Sequence, residues 1–117
     1  MDTSPEYIKH CEKAVEIQNK MESYGLEQGS FFYRDGSILI LSGVINLSLP
    51  PHIWLPRQGQ LQEMVREEYE NDYSLSMRFT KFIPGHADSS MEQLWLAFVM
   101  KEKHGKTWDG EDWVKSP

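Results

Sequence analysis

The chain has little cysteine and no long apolar run. Cys11 is the only cysteine among 117 residues, which excludes an internal disulfide or a multi-cysteine metal site and fits a reducing compartment. No apolar run approaches the roughly 20 residues that a membrane-spanning helix needs, and the first residues are charged where a signal peptide would be apolar. We therefore expect a cytoplasmic protein without a membrane partner.

Positive charge is also scarce. Twelve lysines and arginines stand against 18 aspartates and glutamates, which gives a formal net charge of −6. A nucleic-acid-binding surface needs clustered positive charge to neutralise phosphates, so no nucleic-acid partner is expected. The negative charge would suit a basic protein partner.

The short motifs of common enzymes and cofactor sites are missing. The chain contains no G-x-x-x-x-G-K-[ST], no G-x-G-x-x-G and no G-x-S-x-G, and its acidic segment 109–112 lacks the calcium-loop pattern. His10 and Cys11 adjoin, but neighbours on a helix do not face each other, so we interpret Cys11 as structural. We predict a protein with no catalytic residues, no cofactor and no metal site.

The first part of the chain predicts an amphipathic helix. Ser4 and Pro5 form a helix-start signal, because serine accepts hydrogen bonds from free N–H groups and proline at the first helical position has no N–H group to lose. Apolar residues then recur at spacings of three and four up to about Tyr24. Gly25 is the predicted C-cap, so we expect one helix from Pro5 to Tyr24.

The next segment predicts a small antiparallel sheet. The pair Asp35-Gly36 lies between two runs of aromatic and branched residues, 31–34 and 37–41, and this pattern is the strongest short signal for a β-hairpin. Residues 44–47 are a candidate third strand. A hairpin alone is only marginally stable in water, so we expect it to pack against helices.

Helical patterns return after the sheet. A helix is expected from near Pro56 to Tyr69, although Gly59 weakens its first turn by about 1 kcal/mol relative to alanine. The segment 75–83 alternates as a strand would, but its apolar residues also fit a short helix. We favour the helix.

The most apolar stretch of the chain lies in the last predicted helix. Ser89 with Glu92 and Ser90 with Gln93 both have the spacing of a capping box. The helix should continue to about Lys103, and Gly105 can stop it. Leu94–Met100 should form the core, and a helix this apolar favours homo-oligomerisation, because it can exceed what one small domain covers. We expect the tryptophans of the tail to fold back onto this core.

These elements predict an α+β fold. An N-terminal helix should be followed by a small antiparallel β-hairpin or sheet, and then by two to three C-terminal helices. Aromatic residues make up 12% of the chain and hydrophobic residues 39%, which is too many for a disordered protein. The length fits a single domain that covers residues 1–117.

Arginines lie close to aromatic residues at several places in the sequence. Guanidinium groups bind phosphates and aromatic rings stack on bases, so together they would build a pocket for a small nucleotide. The alternative interpretation is a set of core aromatics with surface arginines, since sequence neighbours need not share a pocket. The candidate ligand-binding residues are Trp54, Arg57, Arg34, Arg78, Trp108 and Trp113.

Three stretches also resemble a group of viral proteins. The sequence AVEIQ at 14–18, the sequence IWLPRQGQLQEM at 53–64 and the segment 90–114 are similar, in this order, to small uncharacterised proteins encoded by phages and prophages of Bacillus-like bacteria. The resemblance implies a viral accessory protein that works in the cytoplasm of a bacterial host. No catalytic residues are known for that family, so none is carried over to this chain.

Two functions from different classes fit this picture. The first is binding to a host or phage protein, for example to counter an antiviral defence. The alternative is a sponge that sequesters a nucleotide immune signal, and hydrolysis of such a signal is a more distant third. The small size, the acidity and the missing catalytic motifs favour the first.

Overall fold

The computed structural model describes residues 1–24, 29–41, 52–84 and 89–116. They form an α+β fold in which an N-terminal helical region precedes a three-stranded antiparallel sheet and the C-terminal helices, as predicted. The helices are α1 (Pro5–Lys13), α2 (Val15–Gln18), α3 (Met21–Tyr24), α4 (Gln58–Arg66), α5 (Asp72–Phe82) and α6 (Met91–His104). The strands are β1 (Phe31–Arg34), β2 (Ser37–Ile40), β3 (Ile53–Leu55), β4 (Lys106–Trp108) and β5 (Trp113–Lys115).

The N-terminal region is three short helices and not the single predicted helix. Its start is as expected, because the Ser4 side chain accepts a hydrogen bond from the Tyr7 N–H at 3.2 Å. The helix then breaks at Ala14, whose ψ of 73° lies outside the helical region. The side-chain amide of Gln18 donates to the Cys11 carbonyl at 3.1 Å. This hydrogen bond is made to a carbonyl in the last turn of α1, where the helix breaks. The predicted C-cap Gly25 lies outside the described residues.

The predicted hairpin is confirmed. Strands β1 and β2 pair antiparallel, and the pairing of Arg34 with Ser37 leaves Asp35 and Gly36 as a two-residue turn. Asp35 has a φ of 48° and Gly36 a φ of 84°, which are the two positive values that a type I′ turn requires.

A bulge ends this hairpin at its open side. The Gly29 N–H donates to the Leu41 carbonyl at 2.8 Å, and the Leu41 N–H donates to the Ser30 carbonyl at 2.8 Å. Gly29 and Ser30 on one side therefore face the single residue Leu41 on the other. Gly29 has the φ of 88° that is typical of a glycine bulge. The bulge fixes the register of the hairpin.

The third strand of the described sheet is β3, which the sequence did not predict; the candidate third strand was 44–47. Those residues lie outside the described part of the chain, whereas β3 pairs antiparallel with β1 and gives the order β2-β1-β3. The outer edge of β3 is closed by one side chain. The Trp54 N–H donates to Gln18 Oε1 at 2.8 Å, and Gln18 Nε2 donates to the Trp54 carbonyl at 2.8 Å.

Helix α5 settles the ambiguous segment in favour of a helix. It begins after Asn71, whose side chain accepts a hydrogen bond from the Ser74 N–H at 2.8 Å. Leu75 and Phe79 are its buried residues, and they lie one helical turn apart on one face. The alternation that resembled a strand arises because the exposed Met77 lies between them.

Helix α6 is the centre of the core, as predicted. The Ser90 side chain accepts from the Gln93 N–H at 3.1 Å, and Gly105 ends the helix with a left-handed φ of 62°. Its run Leu94–Met100 is buried except for the half-buried Ala97, against a core that includes α4. One chain therefore covers the run Leu94–Met100 of α6, and homo-oligomerisation stays a prediction.

A second, two-stranded sheet follows α6. Strands β4 and β5 pair antiparallel through Trp108 and Trp113, and four residues connect them. The sheet is held at its base by a hydrogen bond from the Ser116 N–H to the Gly105 carbonyl at 2.7 Å. The sequence analysis predicted that this tail folds back but did not predict its strands. We call β4, β5 and their connection the C-terminal hairpin.

Candidate functional site

The structure does not bring the six candidate residues together. Trp54 is fully buried, and its strand neighbour across the ladder is the core residue Phe32. It therefore packs in the core and reaches no surface. Arg34 is half-buried at the end of β1, where its Nε lies 3.7 Å from an Asp35 carboxylate oxygen.

Arg78 lies on a third part of the surface. It is exposed on α5, and its Nε lies 3.1 Å from Glu102 Oε1 on α6. It lines a depression of about 210 Å³ with Lys81 and Lys101. Arg57 lines a separate cavity, and only Trp108 and Trp113 share a pocket.

We call the pocket that contains these two tryptophans the aromatic pocket. It has a volume of about 160 Å³. Residues from α1, α5, α6 and the C-terminal hairpin line it together with one residue that precedes α6. The lining residues are His10, Phe82, Ser89, Gln93, Ala97, Thr107, Trp108 and Trp113.

The hairpin register places the two tryptophans in the pocket. Trp108 and Trp113 are directly opposite each other on β4 and β5, so their side chains share one face. Their ring centroids are 5.3 Å apart with planes inclined at 63°, an edge-to-face geometry that aromatic pairs prefer. Trp113 is buried, whereas Trp108 is half-buried.

His10 completes the aromatic part of the pocket. Its ring centroid lies 4.2 Å from that of Trp108 and 6.0 Å from that of Trp113. Its backbone carbonyl accepts a hydrogen bond from the Trp113 indole N–H at 2.9 Å. Burial lowers the pKa of His10 below its usual value, so the imidazole is mostly neutral at pH 7. The pocket wall therefore carries no positive charge at His10.

An acidic loop adjoins the aromatic pocket. It is the four-residue connection 109–112, in which Asp109, Glu111 and Asp112 are all exposed. Asp109 Oδ1 accepts hydrogen bonds from the backbone N–H groups of Glu111 and Asp112, each at 2.8 Å. These bonds lower the pKa of Asp109 and keep it ionised. Within the described ranges, no salt bridge joins the three carboxylates to a basic side chain.

The Arg57 cavity has a volume of about 620 Å³, which exceeds that of the Arg78 depression and of the aromatic pocket. It lies at the beginning of α4 and reaches the N-terminus of the chain. Its lining residues are Met1, Tyr24, Arg57, Gln58, Gly59, Gln60, Glu63 and Glu92. Tyr24 is the only aromatic residue in this lining.

The charges of the Arg57 cavity are balanced. The Arg57 guanidinium and the terminal ammonium group of Met1 are positive, whereas Glu63 and Glu92 are negative. The ammonium nitrogen lies 3.9 Å from Glu92 Oε1, so part of the positive charge is already paired. The cavity thus lacks the excess of positive charge that a nucleotide phosphate would favour.

Gln60 fixes the polar wall of the same cavity. Its Nε2 donates to the Tyr24 carbonyl at 2.9 Å and to Ser30 Oγ at 2.8 Å. Its Oε1 accepts from the Arg57 N–H at 2.8 Å. This amide therefore ties the start of α4 to α3 and to the residue before β1.

The rest of the described surface offers no common reactive centre. Cys11 is fully buried, and burial raises the pKa of its thiol, so it carries little thiolate. Among the described residues, no group of three or more histidines, cysteines and carboxylates is arranged to hold a metal ion. No helix in those ranges is both long and apolar enough to cross a bilayer.

Comparison with protein-family models, with curated proteins and with solved structures finds no match to this chain.

Sequence reasoning identified the tryptophans but missed the other walls of the aromatic pocket. In the sequence, His10 adjoins Cys11 and matches no metal-ligand spacing, and Phe82 fits only the apolar face of a short helix. Both reach the pocket because α1 and α5 converge on the hairpin. No local pattern signals that convergence.

Proposed function

We propose that this protein is a phage or prophage accessory protein that acts without catalysis, by binding a host or phage protein. The docking surface is the aromatic pocket together with the acidic loop 109–112. The observation that carries this proposal is a solvent-accessible cluster of aromatic rings beside three exposed carboxylates that form no salt bridge within the described residues.

Physical principles of protein recognition support this choice. Tryptophan is among the residues that contribute most to binding energy at interfaces, especially where its ring fills a pocket. Half-buried Trp108 has exposed area that a partner would cover, and fixed neighbours already limit its side-chain freedom. Restricting a side chain before binding lowers the entropy lost on association.

A second candidate function is the sequestration of a small nucleotide, which the size of the Arg57 cavity favours. Its volume of about 620 Å³ lies within the range of roughly 300–1,000 Å³ that is usual for ligand pockets. The balanced charge of its lining makes it the weaker candidate.

The first function is tested by capture from lysates of bacteria that carry or are infected by related phages. Immobilised wild-type protein is compared with the Trp108→Ala variant and with a Tyr73→Ala control. Tyr73 is also aromatic, but it is more exposed than Trp108 and lies at the start of α5. We expect a protein that the wild type and the control retain and that Trp108→Ala loses.

That protein must then bind again when both components are pure. Equal retention by wild type and Trp108→Ala would contradict the proposed surface.

The second function is tested with the same preparations. The protein is incubated with candidate nucleotides, separated from free ligand and heated to release what it holds. Recovery of intact nucleotide that Arg57→Ala prevents would support sequestration, altered product would support catalysis, and no uptake would exclude both.

A further inference from the structure

We infer that the aromatic pocket accepts one aromatic side chain from a basic protein segment, whose lysines or arginines pair with the acidic loop. The inference rests on the proposed function and adds the chemistry of the partner. It is carried by the size, the lining and the charge of one surface.

The size of the aromatic pocket fits a single ring. Its volume is about 160 Å³, and an apolar cavity of about 150 Å³ is known to admit benzene. A nucleotide would not fit this volume with its sugar and phosphates. The occupant is therefore a small planar group at the end of a longer chain.

The lining suits an aromatic side chain in particular. The rings of His10, Trp108 and Trp113 present both faces and edges toward each other at centroid distances of 4.2 to 6.0 Å. A further ring can join such a cluster with stacked or edge-to-face contacts, which contribute beyond the buried area. Gln93 and Thr107 add polar groups to the wall that can meet the hydroxyl of a tyrosine.

The charge around the pocket determines which partner residues can flank the bound ring. The acidic loop supplies three carboxylates within four residues, in a chain whose net charge is −6. Lys9 is the opposing group, because its ammonium nitrogen lies 6.0 Å from the centroid of the Trp108 ring. Basic residues of the partner must therefore approach from the side of the loop. An acidic segment would be repelled there.

Three synthetic peptides separate the contribution of the ring from that of the charge. The first has one phenylalanine between two pairs of lysines, the second replaces the phenylalanine with serine, and the third replaces the lysines with glutamates. Binding is followed by NMR of protein labelled with ¹⁵N at its tryptophan indoles. Trp108 and Trp113 report on the pocket, and the buried Trp54 and Trp95 are internal controls.

We expect the lysine–phenylalanine peptide to shift the indole signals of Trp108 and Trp113 in a saturable manner and to leave those of Trp54 and Trp95 in place. The other two peptides should bind at least about tenfold more weakly. Equal binding of the serine peptide would refute the pocket as the site of a ring. Equal binding of the glutamate peptide would refute the role of the loop, and no shift at saturating peptide would refute both.

Charge variants test the loop within the protein itself. Glu111→Lys should weaken the first peptide by roughly threefold to tenfold, as expected for exposed ion pairs. Glu67→Lys makes the same change at an exposed position at the end of α4 and should have no effect. Equal losses in both variants would show only a general attraction of opposite charges and would overturn the assignment.

The outcome is distinguishable from that of the proposed function. If Trp108→Ala abolishes capture of a protein but no peptide shifts the indoles, the docking surface stands and this inference fails. If the first peptide binds as expected but capture is insensitive to Trp108, the inference about the pocket stands and the proposed function fails.

Discussion

Gln18 should contribute strongly to stability, because its side chain takes the place of a neighbouring strand at the edge of β3. Its amide serves three backbone groups: the Trp54 N–H at 2.8 Å, the Trp54 carbonyl at 2.8 Å and the Cys11 carbonyl at 3.1 Å. A neighbouring strand would bind the first two in an ordinary sheet. We predict that Gln18→Met, which keeps the length of the side chain, destabilises the protein severely.

The size of the effect follows from the groups left without partners. A buried donor or acceptor that loses its hydrogen bond costs about 1–3 kcal/mol. Gln18 itself is half-buried, so water can reach part of this region and the lower end of that range applies to each group. The Trp54 N–H and the Trp54 carbonyl lose their partner, whereas the Cys11 carbonyl keeps the Ala14 N–H at 3.1 Å. Two groups at about 1 kcal/mol each give a loss of about 2 kcal/mol in the free energy of unfolding.

Urea unfolding followed by tryptophan fluorescence measures this loss. With a dependence of about 1–3 kcal/mol per molar urea, the midpoint should fall by about 0.7–2 M. The matched control is Gln62→Met in α4, because Gln62 is also half-buried and no side-chain hydrogen bond of Gln62 is seen among the described residues. The control should lose less than about 0.5 kcal/mol.

Two results would refute the reasoning about Gln18. One is a loss for Gln18→Met no larger than that for Gln62→Met. The other is unchanged hydrogen exchange at the Trp54 amide, which should exchange faster once its acceptor is gone. Either result would mean that water or another group replaces the glutamine amide at no cost.

Three further predictions follow from other contacts. Cys11 is fully buried and burial raises the pKa of its thiol, so it should react with a thiol reagent only as fast as the protein unfolds; rapid reaction in native buffer would contradict this burial. Burial alone would raise the pKa of Asp2, but hydrogen bonds, of which the one from Ser90 is the largest, lower it below 3.8 in the folded protein. The ionised Asp2 therefore stabilises the fold above pH 3.8, and this stabilisation is lost as the pH falls through the pKa of Asp2 in the folded protein. Asp2→Asn should therefore be less stable than the wild type near pH 7 in thermal unfolding, and the gap should close towards pH 2; a constant gap would exclude ionisation as the cause. Gly105→Ala should cost about 1 kcal/mol in urea unfolding because Gly105 has a φ of 62° with open space around it, and no loss would argue against the left-handed cap.

The elements that the sequence predicted correctly are those with a local chemical cause. Asp35 and Gly36 adopt positive φ at low cost, so these two residues determine the hairpin turn. Ser90 and Gly105 bound α6 for the same kind of reason, since one caps its N-terminus and the other its C-terminus. Each of these signals acts within a few residues and needs no tertiary contact.

The errors have a tertiary cause. The break at Ala14 has no glycine or proline to mark it, and the Gln18 side chain that satisfies the helix end also binds a strand 36 residues away. Strand β3 has three residues, too few to show an alternating pattern, and it gains its partners from β1 and from Gln18. Periodicity within one segment does not reveal such bonds.

The candidate site illustrates the same limit. Trp54 and Arg57 are three residues apart in the sequence, but Trp54 lies in the core and Arg57 at the edge of a cavity. Strand β3 ends at Leu55, and Arg57 is the N-cap residue that precedes α4, so the directions of the two side chains are unrelated. Trp108 and Trp113 come together because a hairpin places them opposite each other. Proximity in sequence was therefore a poor guide for one pair, and strand register decided the other.

The two tryptophans of the hairpin are not equivalent, and the difference bears on function. Trp113 is buried and donates a hydrogen bond to the His10 carbonyl, which is enough to anchor the chain end to α1. Trp108 remains half-buried beside an exposed acidic loop. A smaller or more polar residue at this position would expose less apolar area to water. The anchoring of the hairpin explains the first tryptophan alone. A partner that covers the second would explain why both are present.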